Sequence, residues 1–458
     1  MNFNTKKFIE DSRNFFAAGN RLKVKERKNL LIKLKNILKN NREKIFIALY
    51  EDLHKSEAEA TVSEFVPLMD SLNYMIRNIK KFAKPKRVSA GLANLPGYGK
   101  IYQEPYGVVL IISTWNYPLL LAIDPLVGAI AAGNKVILKL SPNTPNTNRV
   151  LSELLHECFG TENCIVDKDF SLDEILQFKF DYIFFTGGEA SGKNVAAAAA
   201  KNLTPTTLEL GGKSPCVVDD SSDLKLAARR IAWGKFMNAG QTCVAPDYLL
   251  VTNKVKEKFL NLLREQIKSN FGNSPEKSPD YVRIINQAHY ERLCGLLEEG
   301  TLVCGGEKIP DELYIAPTVL DKITLQSKIM EREIFGPILP IITVDNLEEA
   351  LQIIRNRPKP LAAYYFSNNS RRIETFLSTV SSGGVSINDT VMHLCSANLP
   401  FGGVGSSGMG SYHGKASFQT FSHAKSVLIK NKYFDFPLRY LPYSKWKQKI
   451  FKIVQKNI

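Results

Sequence analysis

No run of about 18 uninterrupted apolar residues occurs in the 458-residue chain, so no segment has the length and character of a membrane-spanning helix. The seven cysteines, at 158, 164, 216, 243, 294, 304 and 395, contain no CxxC pair. An odd number so spaced fits neither a disulfide framework nor a zinc site, which leads us to expect a metal-free chain in a reducing cytoplasm. The opening MNFNTKKFIEDSRNFF lacks the apolar core of a secretory leader, because Lys6, Lys7, Glu10 and Asp11 interrupt it and no small-residue cleavage site follows. Acidic residues are the minority charge, 45 against 60 Lys and Arg, leaving a net charge of +15. That surplus is concentrated in residues 21–44 and 445–456, neither of which carries a nucleic-acid motif. In the first, Leu30, Leu31, Leu34, Ile37 and Leu38 recur at helical spacing, so the basic side chains mostly form a solvated helix face and no nucleic-acid partner is expected.

What is present is a globular composition, 44% hydrophobic and 23% charged, in a chain longer than one core usually serves. Residues 1–82 are predicted as amphipathic helices ended by Lys84-Pro85-Lys86. Beyond an extended, turn-rich segment, Val108 to Ile112 is a continuous apolar run of the kind buried on both faces of a parallel sheet, followed by helix-like Ala122 to Ala132 and a second buried strand, Lys135 to Leu140. The alternation continues through the strand Asp181 to Phe185, the turn Thr186-Gly187-Gly188 and the helix Ala190 to Lys201. Ser214 to Val218, the helix Leu224 to Met237 and Tyr248 to Val251 extend it, and it runs on to about residue 390. The pattern predicts two open α/β lobes with a change of lobe near Glu209 to Gly212.

Four short motifs could carry chemistry. Cys243, in Gly240-Gln241-Thr242-Cys243-Val244-Ala245-Pro246, sits on a bend between helix and strand, where a thiol is either an exposed nucleophile or a small buried hydrophobe. Glu209, in Leu208-Glu209-Leu210-Gly211-Gly212-Lys213, is either a solvent-facing glutamate of an edge strand or a general base whose pKa its apolar neighbours raise. Asn116, in Thr114-Trp115-Asn116-Tyr117-Pro118, follows a buried strand at the sheet end where ligands gather. Its amide could hold an oxyanion, or the residue could simply form a turn. Two glycine patterns compete for a phosphate-binding role. Gly403-Val404-Gly405-Ser406-Ser407-Gly408 matches GxGxxG literally, but it is near the C-terminus with no clear helix opening after it, and we reject it. Phe185-Thr186-Gly187-Gly188-Glu189-Ala190-Ser191-Gly192 follows a strand and opens a helix whose N-terminus could meet a pyrophosphate.

Together these segments, with EIFGPILP, resemble the aldehyde dehydrogenase superfamily in type and order, over roughly residues 5–440. Leu399 to Ser422 and the run Cys243 to Tyr248 are similar to its class 3 branch, which acts on fatty and aromatic aldehydes. The resemblance implies two Rossmann-like open α/β lobes with a small bridging β element. It divides the chain into a nucleotide-binding domain (1–82 and 104–210), a catalytic domain (211–398), a bridging and oligomerisation element (83–103 and 399–440) and a basic tail (441–458). It also implies oxidation of medium or long aliphatic or aromatic aldehydes to acids with NAD or NADP. Cys243 would be the nucleophile, Glu209 the base that activates water, and Asn116 with the Cys243 backbone N–H the oxyanion donors. Trp115, Lys139, Ser141, Thr186, Gly187, Gly188, Gly192, Glu333 and Phe335 would hold the cofactor. Pro142 stands where many NAD-preferring relatives carry a ribose-binding glutamate, so use of both cofactors is expected. The alternatives are a branch in which coenzyme A resolves the thioester, against which Glu209 argues, and a silent binding protein, against which the intact Cys243, Glu209 and Asn116 argue. The resemblance further implies a homodimer. In Ser444 to Ile458, Lys445, Lys449, Lys452 and Lys456 share one helical face opposite Trp446, Ile450, Ile453 and Val454, with Lys447 intruding. Such a helix either lies on an anionic membrane surface or packs on protein.

Overall fold

In the computed structural model, which describes residues 5–456, two large sheets organise the chain. Residues 1–4 of the expected N-terminal helices and 457–458 of the basic tail lie outside the described residues. The first sheet has the order Gly408–Met409, Thr206–Glu209, Tyr182–Thr186, Val108–Ile112, Lys135–Lys139, Cys164–Asp167. All neighbours are parallel except Gly408–Met409 against Thr206–Glu209. The central strand is apolar at every position because helices cover both of its faces. Val109 and Ile111 pack into a core with Ala122 and Leu126, while Val108, Leu110 and Ile112 pack into another with Phe8, Ile9 and Val195. The helix Leu120–Ala132, which crosses between two of these strands, is buried at every residue from Ala122 onward.

The second sheet runs Thr301–Cys304, Thr318–Asp321, Ile338–Val344, Tyr248–Thr252, Pro215–Val218, Ala362–Phe366, Gly384–Ile387, parallel apart from its first strand. The chain leaves the first sheet at Glu209 and enters the second at Pro215. A third, antiparallel sheet joins Lys86–Ser89, Tyr98–Pro105 and Ser422–Ile429, with Ser422–Ile429 at its edge.

The α/β alternation is as the sequence predicts, and the departures from it are informative. Glu209 is not on an edge, because Gly408–Met409 covers the outer side of its strand. The rejected glycine pattern thus finds a packing role. Gly408 is at φ 135°, and a Cβ there would fall 2.0 Å from the Leu208 carbonyl oxygen. A helix does open after it, Gly414–Thr420, but only six residues on. The helix expected to end at Met237 stops at Phe236, and Asn238 and Ala239 then turn left-handed. In the basic segment Arg27 leaves the wet face. It is buried, and its guanidinium donates to the carbonyl of Ala132 at 2.9 Å, at the C-terminal end of the helix Leu120–Ala132. The tail forms the helix Lys445–Lys456, where the intruding Lys447 is buried and donates to the Tyr440 carbonyl at 2.6 Å. Among the described residues no helix is long and apolar enough to cross a membrane.

Candidate active site

Parallel pairing sets the strand ends level, with Ile112 beside Phe185 and Thr186 beside Glu209. Carboxyl ends of parallel strands leave a crevice, and the loops that follow them line it. A cavity of about 350 Å³ opens there, lined by Trp115, Asn116, Thr186, Gly187, Gly188, Glu209, Cys243, Glu333 and Phe335. These nine of the twelve residues singled out from sequence thus converge from five separate segments. Lys139, Ser141 and Gly192 do not line it.

Cys243 comes to this place through a strained bend. Asn238, Ala239 and Gly240 take φ of 53°, 50° and 71° in succession, a conformation costly for the two residues with a Cβ. The surroundings hold it. Gln241 is wholly buried, donates to the carbonyls of Asn238 at 3.1 Å and Arg283 at 3.0 Å, and accepts from the Ile285 N–H at 3.0 Å. Tyr117 and Thr242 hydroxyls meet at 2.5 Å, and the Tyr364 hydroxyl donates to the Val244 carbonyl at 2.5 Å. The Cys243 thiol is pushed up by burial first, then by the carboxylates of Glu333 and Glu209, while the backbone N–H groups of Cys243 and Val244 pull it down.

Glu209 is buried, and neither of its side-chain oxygens has a hydrogen-bond partner among the described residues. Burial alone drives its carboxyl well above the usual range. The Asn116 amide donates to the Gln241 carbonyl at 3.0 Å, and its side-chain oxygen has no partner among the described residues. Glu333 is pushed up to about 8 by burial and by the charge of Asp247, against the pull of the Gly212 N–H, Lys213 and Lys235. A Cβ on Gly211 would fall 1.9 Å from Glu333 Oε2, so a side chain there would displace the Glu333 carboxylate. Phe335, at φ 51°, meets Trp115 edge-on at 5.3 Å, and Trp115 meets His289 at the same distance.

A second cavity, of about 260 Å³, also reaches Cys243. Tyr117, Leu120, Trp233, Met237 and Val391 make it mostly apolar, with Asp70, Asp124 and His413 among its polar residues. Cys243, Leu121, Phe401 and Tyr412 line both cavities, so the thiol stands at their junction. Sequence reasoning missed His289 and Arg292, which reach the first cavity from the helix Gln287–Cys294 with no local motif to mark them, and missed Tyr412.

The remaining three residues lie differently. Lys139 binds Asp167 at 3.0 Å and also donates to the Phe170 carbonyl, so its ammonium is already partnered. Ser141 is buried in the turn before the helix Pro145–Phe159. Gly192 lies one turn inside the helix Glu189–Ala200, where a Cβ would fall 2.6 Å from the Leu210 side chain, so it permits close packing of helix on loop. The glycine turn does suit a pyrophosphate. Gly188 caps that helix with nothing within 4 Å of its missing Cβ, and the buried Thr186 hydroxyl on the cavity wall lacks a partner among the described residues.

Comparison with known proteins agrees with this geometry. The aldehyde dehydrogenase family profile matches residues 3–427. The 4,4'-diaponeurosporen-aldehyde dehydrogenase of Staphylococcus aureus is 45% identical over 462 residues, covering all of both chains. Aldehyde dehydrogenase family 3 member B1 of Rattus norvegicus is 45% identical over 95% of this chain and 94% of its own. A substrate-bound structure of Staphylococcus aureus AldH superposes with a TM-score of 0.95 at 44% identity, covering 99% of this chain and 100% of that one. An NAD-dependent aldehyde dehydrogenase from Sinorhizobium meliloti gives 0.84 at 28% identity, over 93% and 86%. The silent-protein and coenzyme A alternatives find no support in these relatives, and the chain belongs to the aldehyde dehydrogenase family, with its similar relatives in the class 3 branch.

Proposed function

We propose that this NAD(P)-dependent aldehyde dehydrogenase oxidises its substrate through Cys243, with the aldehyde entering by the apolar cavity and the cofactor by the cavity of the glycine turn. The observation that carries this reading is the position of the thiol at the junction of the two. Cys243 Sγ adds to the carbonyl carbon as the thiol proton passes to solvent water, and the Asn116 amide and the Cys243 backbone N–H stabilise the oxyanion. A nicotinamide held beside Glu333, Phe335 and Trp115 would supply the acceptor for the hydride that this carbon gives up, leaving a thioester on Cys243. The resulting thioester is attacked by water, whose proton Glu209 accepts, releasing the acid and restoring the thiol. A carboxyl held in an apolar site, with no hydrogen-bond partner among the described residues, suits that task, since its raised proton affinity makes it a stronger base.

For the cofactor, Thr186, Gly187 and Gly188 at the helix N-terminus would meet the pyrophosphate, Glu333 and Phe335 with Trp115 the nicotinamide end, and Lys139 and Ser141 the adenosine end. Gly192 would serve by packing. The first sheet with residues 1–82 and 104–210 would then be the nucleotide-binding domain and residues 211–398 the catalytic domain, with 83–103 and 399–440 bridging. The apolar lining of the second cavity favours medium or long aliphatic and aromatic aldehydes. The edge strand Ser422–Ile429 supports a homodimer, and the exposed Tyr433, Leu441 and Trp446 around the basic tail support docking on a membrane surface.

The test is absorbance of the reduced nicotinamide with NAD or NADP and a series of aldehydes of increasing chain length. Cys243→Ala should remove all turnover. Glu209→Gln should keep a rapid first burst of reduced cofactor and slow the later release of acid by about 100-fold or more. Turnover by the cysteine variant would refute the reading.

A further inference from the structure

Behind the loop that carries Asn116 lies a buried charged cluster that none of the steps above uses. Lys55 is wholly buried and donates to Glu64 Oε1 at 2.6 Å and to the Asn116 main-chain oxygen at 3.2 Å, with the Tyr117 ring centroid 4.4 Å from its ammonium. Glu64, also wholly buried, uses its other oxygen to accept the N–H groups of Leu119 at 2.9 Å and Leu120 at 3.1 Å, where the helix Leu120–Ala132 begins. It is presented by a π-helical turn, Thr61–Phe65, a rare geometry. The same Asn116 oxygen also accepts the Asn238 side-chain amide at 2.9 Å, and the backbone N–H of left-handed Asn238 donates to Glu59 Oε1 at 2.7 Å.

Each of these features is unfavourable on its own. A buried ion pair loses more hydration than its attraction usually returns, a π turn is a rare departure from the α-helical ladder, and a left-handed residue is strained. All of them converge on one peptide carbonyl, that of Asn116. An oxyanion donor must be held within a fraction of an ångström of where charge develops, so a carbonyl clamped from both sides fixes the backbone from which the Asn116 side chain extends, while the Gln241 carbonyl at 3.0 Å holds its amide.

We propose that Lys55 and Glu64 are positioning residues for the oxyanion donor, holding the Asn116–Tyr117 peptide against the cysteine bend. The inference rests on the reading of Asn116 as that donor. It is tested in the full-length enzyme with the charge-balanced pair Lys55→Met and Glu64→Gln, which keeps an acceptor for Leu119 and Leu120 but removes the bond to Asn116. We expect kcat to fall about 10- to 100-fold with cofactor affinity unchanged. In an Asn116→Ala background the same pair should change kcat less than about twofold, because the group it orients is gone. Lys55→Gln beside Glu64→Gln, which retains a neutral donor toward Asn116, should recover most of the loss.

Wild-type kcat in the first pair would overturn the proposal, as would an equally large loss in the Asn116→Ala background. If neither pair folds, the cluster is a stability element and the proposal falls. If Asn116→Ala alone leaves kcat intact, the oxyanion assignment falls first and the positioning role falls with it.

Discussion

At the scale of single residues, Cys243 and Glu209 illustrate what a local motif can and cannot carry. The sequence around each left a functional and a bland reading open, and the bland ones concerned burial. Glu209 turned out buried, for a reason two hundred residues away in Gly408–Met409, which no local pattern could reveal. Glu333 was legible only through family resemblance, and its closeness to the thiol has a measurable consequence. Burial is the main reason the thiol resists ionisation, but the Glu333 carboxylate adds to it, and Glu209 adds less. Glu333 titrates near 8, so its charge is present over the higher pH range in which this thiol ionises. A negative neighbour disfavours the thiolate, and removing it lowers the thiol pKa. Inactivation by iodoacetamide, followed against pH without cofactor, should therefore shift to lower pH in Glu333→Gln and by a smaller step in Glu209→Gln. A shift to higher pH in Glu333→Gln would show that its carboxyl does not act on the sulfur through charge.

At the scale of elements, the buried strand Val108–Ile112 was readable because a strand covered on both faces leaves a continuous apolar run, and Lys135–Lys139 because Val136 to Leu138 do the same between two lysines. The bend that delivers Cys243 was readable only as a bend. Glycine at 240 hints at a left-handed residue, but nothing in the letters Asn-Ala predicts two more before it, because that conformation is imposed by packing against Glu59, Asn116 and Gln241. A Cβ on Gly240 would fall 2.2 Å from the Gly336 carbonyl oxygen, and backbone cannot move aside cheaply. Gly240→Ala should cost about 2–4 kcal/mol, strain and clash together, and reduce kcat as the displacement reaches Cys243. Gly19→Ala is the control. Gly19 has φ 79° at the left-handed end of a helix but nothing within 4 Å of its missing Cβ, so it should cost about 1–2 kcal/mol and leave kcat intact. Equal thermal midpoints for the two variants would mean that the contact with Gly336 carries no strain.

At the scale of the whole molecule, the alternation of helix and strand made the α/β class legible, while the meeting of two cavities at one thiol was not, since their walls come from segments spread from Val62 to Gly414. The tail is the opposite case. Its two faces are plain in the sequence, and the helix Lys445–Lys456 keeps Trp446 and Val454 exposed, while Tyr433 is 85% and Leu441 75% exposed just before it. Exposed aromatics beside four lysines on one face form a surface suited to a layer that is anionic outside and apolar beneath. Each lysine near such a surface contributes about 1 kcal/mol, and salt screens that attraction within about 10 Å at 0.1 M. The full chain should therefore sediment with vesicles containing phosphatidylserine, less so as salt rises, and not with neutral vesicles. Removal of residues 444–458 should abolish sedimentation while leaving turnover of a short, water-soluble aldehyde unchanged, because the tail lines neither cavity. Undiminished sedimentation of the truncated chain would place any membrane affinity elsewhere. Loss of turnover together with sedimentation would mean that the helix packs on the enzyme and supports its active form.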